Sequence, residues 1–179
     1  LGRIIESITN GLDNTIVIFL GDNGTPGKVV QSPYGTRRSK GSIFQGGINV
    51  PMVISGAGIT RKGEREDALI QSTDLFTTIA QIAGSTISEK HNSKSFHQLL
   101  IDTDATSRTY AYAENSTDGN VSYAVRDSQH KLIVDYDGTE SLYDLNNDPY
   151  EKNNLLTNPL TTINEVRNEL FQEALRIRK

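Results

Sequence analysis

The sequence predicts an α/β fold in which strands of a large central sheet are followed by a small four-stranded antiparallel sheet and a C-terminal helix. Three observations lead to this prediction. A helical pattern runs directly into an unbroken apolar strand, the hydrophobic period changes to short strand-like runs after residue 109, and helical spacing returns over residues 160–178. With 35% hydrophobic and 22% charged residues, the 179-residue chain has the composition of an ordinary globular protein.

The first elements predict half of an α/β unit. Residues 3–12 carry Ile and Leu at helical spacing, which indicates a short amphipathic helix. Residues 15–20, with the sequence TIVIFL, are apolar without alternation, as is typical of a strand covered on both faces in a parallel sheet. A second apolar strand is predicted over residues 49–55.

Polar residues follow the first predicted strand at once. The segment 21–27 contains three Gly and one Pro, which exclude regular structure and permit tight turns. Ligands bind at the C-terminal ends of strands in open α/β sheets, so Asp22 and Asn23 are placed at a potential crevice. A basic cluster over residues 37–40 and a Gly46-Gly47 turn come next.

A helix is predicted to start at Ser72 or Thr73, either of which can cap it, and to end at Ala83-Gly84. Its predicted apolar face consists of Leu75, Phe76, Ile79 and Ile82.

The second half predicts a meander covered by a helix. Four short strand-like runs from residue 109 are separated by Asp, Asn and Gly, and the amphipathic segment 160–178 is expected to cover the resulting sheet. We therefore divide the chain into part of a main α/β domain (1–84), a linker (85–108) and a small antiparallel-sheet subdomain (109–179).

Composition excludes several functions. Lys and Arg number 18 against 22 Asp and Glu, a net charge of −4, and they are scattered, so no nucleic-acid partner is expected. The absence of Cys excludes disulfides, thiolate metal sites and a cysteine nucleophile within this stretch. No apolar run approaches the roughly 18 residues that span a membrane, and the start at Leu1 leads us to expect a chain cut from something longer.

Most polar residues have an ordinary interpretation when taken alone. Asp22-Asn23 between glycines is typical of a turn, and Lys40 alone would be a solvated surface charge. Arg37 and Arg38 are interpreted as an exposed basic pair in a loop, outside the site.

Other polar residues are assigned structural roles. Asp144 and Asp148, which lie near a proline, are interpreted as turn residues. The histidines lack metal-ligand spacing, and they are His91, His97 and His130.

Five segments, taken in order, resemble the C-terminal portion of the sulfatase family. They are NTIVIFLGDNG, SKGSIFQGGINVPMVISG, STDLFTTIAQIAG, YAVRDSQHKLI and LYDLNNDPYEKNNLL. Each is weak alone, whereas the ordered set is specific. The resemblance implies an alkaline phosphatase-like fold with a large mixed sheet and a smaller C-terminal antiparallel sheet.

The resemblance also implies a site. Asp22 and Asn23 correspond to two oxygen ligands of one divalent cation, calcium or magnesium, whose other ligands lie outside this chain. Lys40 corresponds to the lysine that binds the substrate sulfate. Hard oxygen donors suit calcium, and a compact ammonium suits a sulfate oxygen.

The family nucleophile is a formylglycine made from the Cys or Ser of an upstream Cys/Ser-x-Pro-x-Arg motif, which this sequence lacks. We therefore expect the chain alone to be inactive and to need the N-terminal part of the same protein. The expected function is that of a sulfuric ester hydrolase acting on a small-molecule or carbohydrate sulfate ester, in the periplasm or outside the cell, with no membrane partner.

Two alternatives stay open. One is a phosphonate or phosphate ester hydrolase of the same superfamily, and the other is an isolated non-catalytic module. If strands of the main sheet are missing, the two apolar strands of the first half are expected to expose apolar surface and favour self-association.

Overall fold

The computed structural model describes residues 2–8, 13–85, 87 and 92–179. The helices are α1 (Gly2–Glu6), α2 (Gln45–Ile48), α3 (Asp74–Ile82) and α4 (Thr161–Ile177). The strands are β1 (Ile16–Leu20), β2 (Met52–Gly56), β3 (Ala111–Thr117), β4 (Asn120–Arg126), β5 (His130–Val134) and β6 (Glu140–Asp144). Short 3-10 helices span Thr36–Arg38, His97–Leu100 and Leu155–Thr157. Within the described ranges no helix has the length and apolar character needed to cross a membrane.

The helix predicted over 3–12 is observed only in its first part, as α1, because residues 7 and 8 form a turn and a bend; residues 9–12 lie outside the described residues.

Strands β1 and β2 form a two-stranded antiparallel sheet, with Ile18 opposite Ile54. The expectation that the first strand pairs in a parallel sheet is wrong for its pairing with β2, the neighbour found among the described residues. An unbroken apolar run reports burial on two faces, and it carries no information about the direction of a neighbouring strand. The two faces are only partly covered in this chain, because Phe19 is 48% and Val53 59% exposed.

The second sheet is a meander in the order β3-β4-β5-β6, with every neighbouring pair antiparallel. The β3–β4 turn places Asp118 and Gly119 at φ values of 53° and 82°, which suits a two-residue hairpin of the primed type. The predicted four-stranded antiparallel sheet with a C-terminal helix is therefore confirmed.

Both faces of this sheet are buried across β4, β5 and β6. Alternation along β5 sends Leu132 (0% exposed) to one face and Ile133 (1% exposed) to the other. The first face packs against α4, in a core formed by Tyr123, Val125, Leu132, Val134, Leu142, Leu170 and Ala174. The second face packs against the segment that leads into α2, in a core formed by Ile43, Ala124, Ile133, Tyr143 and Leu145, with Phe44 at its edge. The small sheet is thus joined directly to the first half of the chain.

Helix α3 begins differently from the prediction. Thr73 precedes it, but neither Ser72 nor Thr73 contributes a side-chain cap. Instead the Asp74 carboxylate accepts a hydrogen bond from the backbone N–H of Gln71 (2.7 Å) and forms a buried ion pair with Arg108. The first N–H groups of α3 donate to the backbone carbonyl oxygens of residues 71–73, and the Asp74 carboxylate ties the preceding turn to Arg108.

The buried side of α3 is also polar where an apolar face was predicted. Thr77 and Thr78 are buried, whereas Phe76 is 57% and Ile79 50% exposed. The buried side faces irregular backbone, whose N–H groups need acceptors, and Thr78 accepts from the backbone N–H of Phe96 (3.0 Å). The predicted apolar face of α3 is therefore left largely open.

Candidate functional site

Asp22 and Asn23 follow β1 directly, in the loop that leaves its C-terminal end. Asp22 is exposed and Asn23 half-buried, and the backbone N–H of Asn23 donates to Asp22 Oδ1 (2.9 Å). Among the residues that the structure describes, Asp22 Oδ2 and the side-chain amide of Asn23 form no hydrogen bond. Two side-chain oxygens are thus left free at the position predicted for cation ligands.

Two backbone hydrogen bonds bring the predicted site residues together. Gly24 N donates to Gly47 O (2.9 Å), and Lys40 N donates to Thr25 O (3.0 Å). The loop that carries Asp22 and Asn23 therefore lies against the loop that carries Lys40.

The contact between these loops requires glycine. A Cβ atom on Gly24 would lie 1.8 Å from the carbonyl oxygen of Gly46, and one on Gly46 would lie 2.2 Å from the carbonyl oxygen of Arg38. Real Cβ atoms do not approach backbone this closely, so the two glycines let three backbone segments meet.

Lys40 is exposed, while the residue before it is fixed. Ser39 is 1% exposed, and its hydroxyl donates to the carbonyl oxygen of Thr36 (2.8 Å). The Lys40 ammonium makes no hydrogen bond or ion pair within the described part of the chain. An anchored backbone with an uncommitted cation suits the binding of an anion.

The small sheet supports these loops through a buried charge network. Glu151 accepts from the backbone N–H of Gln45 (2.6 Å), the first residue of α2, and from Lys131 Nζ (2.6 Å). Both charged side chains are 1% exposed. Burial lowers the pKa of Lys131 to about 8, although the neighbouring Glu151 carboxylate opposes this shift. Glu151 therefore ties β5 to the segment on which the loop of Asp22 rests.

This network was not predicted, since Lys and Glu are rarely buried. The available signal was position: Lys131 lies two residues before Ile133, and so on the same face of β5.

Arg38 belongs to the same support. The interpretation of Arg38 as an exposed loop residue is wrong, because its guanidinium lies 5.0 Å from the centre of the Phe44 ring and donates to the carbonyl oxygens of Tyr150 and Glu151. Arg37 is exposed, as predicted.

Asp144 and Asp148 make turns, as predicted. Asp144 accepts from the backbone N–H of Asn146 (3.0 Å), and Asp148 accepts from that of Asn153 (2.7 Å).

The histidines form no metal group where they are described. His97 has a buried Nδ1 without a hydrogen-bond partner, and His130 Nδ1 lies 4.0 Å from Asp127. His91 lies outside the described residues. Across the described ranges no three His, Cys, Asp or Glu residues are grouped to hold a metal ion. Asp22 and Asn23 thus offer two oxygen donors, which suit a hard cation such as calcium but fill only part of its usual shell of 6–8 oxygens.

Comparison with known proteins gives consistent matches. Residues 38–179 match the family model described as N-sulphoglucosamine sulphohydrolase, C-terminal. The chain is 26% identical to an ulvan-active sulfatase of Formosa agariphila, over 82% of this chain and 34% of that protein. Among solved structures it is similar to BT1596, a 2-O GAG sulfatase, with a TM-score of 0.79 and 24% identity over 99% of this chain and 39% of the other. It is also similar to BT4656 in complex with its substrate D-glucosamine-2-N,6-O-disulfate, with a TM-score of 0.79 and 21% identity over 98% of this chain and 37% of the other.

These matches establish the extent of the chain relative to the matched proteins and its fold. The chain spans between 34% and 39% of the length of the proteins just named. The structural likeness establishes the α/β fold with its small antiparallel sheet and C-terminal helix.

Proposed function

The chain belongs to the sulfatase family, whose C-terminal region it carries, and from this premise we propose that the whole protein hydrolyses sulfate esters of carbohydrates or small molecules. The observation that supports the proposal best is the pair of backbone hydrogen bonds that join the loop of Asp22 and Asn23 to the loop of Lys40. This contact gathers two oxygen donors and a cation on adjoining loops.

In this proposal Asp22 and Asn23 hold one divalent cation, calcium or magnesium, together with ligands from outside this chain. When bound, the cation supplies Lewis-acid stabilisation of charge that develops on the sulfate oxygens. The exposed Asp22 carboxylate and the free Asn23 amide oxygen are donors of the kind that calcium prefers.

Lys40 is assigned to the substrate sulfate. Its ammonium offers three donors to the anionic oxygens and stabilises negative charge in the ground state and the transition state. The backbone on either side of it is fixed by Ser39 and by the hydrogen bond to Thr25, so the ammonium is presented without reorganising the loop.

The nucleophile is proposed to be a formylglycine that comes from outside this chain. The chain alone is then inactive, whereas the whole protein turns over an aryl sulfate. Assaying both with 4-nitrophenyl sulfate, alongside calorimetric titration of each with calcium, tests this division. Turnover by the chain alone would contradict it.

Substitutions in the whole protein test the site itself. Asp22→Ala is expected to abolish cation-dependent hydrolysis, and Lys40→Ala to lower kcat/KM by about 100-fold, the usual order for losing one charge-stabilising donor. Lys62→Ala, at an exposed lysine without an ion pair in the described part of the chain, serves as the control. Unchanged kinetics in both site variants would reject the assignment.

A phosphate or phosphonate ester hydrolase is the competing function, since a lysine and a hard cation suit either anion. Comparing kcat/KM for 4-nitrophenyl sulfate with kcat/KM for 4-nitrophenyl phosphate separates the two. A preference for the phosphate ester would replace the proposed function with its competitor.

A further inference from the structure

A basic pocket lies beside the 3-10 helix that precedes Lys40. It has a volume of about 350 Å³, and its lining on one side is Pro33, Gly35, Thr36, Arg37 and Arg38, and on the other Tyr150 and Lys152. Three of its lining residues are cations, namely Arg37, Arg38 and Lys152, and the lining contains no acidic residue. In a chain of net charge −4, this is a local concentration of positive charge.

The nearby carboxylates form hydrogen bonds with groups outside the pocket. Glu151, between two lining residues, is 0% exposed and binds Lys131 and the backbone N–H of Gln45. Asp148 accepts from the backbone N–H of Asn153. Neither carboxylate neutralises the pocket.

Contacts with neighbouring residues hold the Tyr150 side of the pocket in place. The rings of Tyr34 and Tyr150 meet edge to face with centroids 5.1 Å apart, and Arg38 donates to the carbonyl oxygen of Tyr150 (3.4 Å). The guanidinium of Arg38 is thereby committed to structure, while Lys152 Nζ lies 5.6 Å from the centre of the Tyr150 ring.

Arg37 and Lys152 remain available to a ligand. Both are exposed, and neither forms an ion pair within the described ranges. The Tyr150 ring, flanked by two cations that form no ion pair within the described ranges, is suited to a sugar ring that carries an anionic substituent.

The pocket is close to the proposed sulfate-binding residue. Arg37 and Lys40 are three residues apart, so their Cα atoms are separated by at most about 11 Å. A group bound at the pocket can therefore belong to the same molecule as a sulfate bound at Lys40.

We propose that Arg37 and Lys152 form a subsite for a second anionic substituent, a sulfate or a carboxylate, of a saccharide whose scissile sulfate is bound at Lys40. This rests on the proposed function and narrows its substrate class to saccharides with more than one negative charge. Arg38 holds the pocket in shape and does not itself bind the ligand.

Kinetics of the whole protein on two substrates test the subsite. The probes are D-glucosamine-2-N,6-O-disulfate, which has a second sulfate, and 4-nitrophenyl sulfate, which has none. Arg37→Gln/Lys152→Gln is expected to raise the ratio of the two KM values, disulfated sugar over aryl sulfate, by about tenfold, the effect of roughly 1.4 kcal/mol of lost charge interaction. Lys62→Gln removes an exposed positive charge elsewhere and should leave this ratio at the parent value. A ratio within twofold of the parent in the double variant would overturn the subsite.

A binding measurement that does not depend on turnover distinguishes failure of the subsite from failure of the proposed function. Calorimetric titration of the whole protein with the disulfated sugar, in EDTA, should show weaker binding in the double variant than in the parent or the Lys62→Gln control. Equal binding in all three overturns the subsite. Absence of turnover on both substrates rejects the proposed function, and this titration still decides the subsite.

Discussion

Gly24 is the residue on which the two site loops depend most directly. Its Cα lies so close to Gly46 that an added methyl group would meet the carbonyl oxygen at 1.8 Å. The neighbour is backbone, so the clash is relieved only by separating the loop of Asp22 from the segment beneath it.

Gly24→Ala is therefore expected to cost about 2–3 kcal/mol of stability, the upper range for overpacking, and to lower cation-dependent activity. Gly35→Ala is the matched control. Gly35 is also in a loop, has an extended backbone (φ −92°, ψ 157°), and has open space where its Cβ would be. Urea unfolding of both variants measures the difference, and equal midpoints would show that the loops adapt to the added methyl.

The site residues are predicted from the sequence by a signal that does not extend to the residues that support them. Asp22, Asn23 and Lys40 were identified by the order of segments in which they lie. Lys131 and Glu151 were missed because burial of a charge depends on a partner 20 residues away, and no local pattern reports that partner.

At the scale of elements, the ion pair between β5 and the turn after β6 fixes the small sheet to α2. Lys131→Met leaves the Glu151 carboxylate buried with the backbone N–H of Gln45 as its remaining donor near this site. Removing one partner of such a pair typically costs about 3–5 kcal/mol, so we expect a loss of this size.

The double variant Lys131→Met/Glu151→Gln distinguishes the stability lost through an unpaired buried charge from the stability lost through changed packing. It leaves no buried charge at this site, and most of the lost stability should return. Chemical denaturation of the parent, Lys131→Met, Glu151→Gln and the double variant completes a double-mutant cycle. A double variant as unstable as Lys131→Met would indicate that packing, not the unpaired charge, causes the loss.

The type of each element, helix or strand, was largely predictable from the sequence. Which side of an element is buried was not. The short strand-like runs after residue 109, separated by Asp, Asn and Gly, predicted four strands, and β4, β5 and β6 each send buried residues to both faces of the sheet. For α3 the periodicity identified the helix, but Phe76 and Ile79 are exposed while Thr77 and Thr78 are buried. Local hydrophobicity does not reveal which side meets irregular backbone that requires hydrogen-bond acceptors.

At the scale of the whole molecule, apolar surface is left uncovered in the first half of the chain. Phe19 and Val53 are paired across β1 and β2 on the same face, and both are about half exposed. Phe76 and Ile79 on α3 are exposed to a similar extent. Since the chain spans about a third of its relatives, the remainder of the protein is expected to cover these faces.

The isolated chain is therefore expected to self-associate at micromolar concentration. The whole protein, in which these faces are covered, is expected to remain free of this association. Val53→Thr/Phe76→Ser should shift the chain toward monomer, which sedimentation velocity measures. Leu160→Ser, which removes a single leucine that is 71% exposed at the start of α4, is the control. A chain that stays monomeric without substitution would show that the open faces are tolerated in water.

The division into a main domain, a linker at 85–108 and a small subdomain remains a prediction. The sequence supported it by a change of period and of polarity. The structure adds that the small sheet has a buried face against Ile43 and Phe44, so contacts cross between the two halves.

The strand order of the meander has a consequence for how the chain folds. Every pairing in the β3-β4-β5-β6 sheet joins strands that are adjacent in sequence, so each step closes a short loop at little entropic cost. Strand β1, by contrast, meets β2 only after the chain has closed the long intervening segment 21–51. Contacts of low sequence separation form fastest, so we expect the small sheet with α4 to form before the site loops and to provide the surface against which they pack.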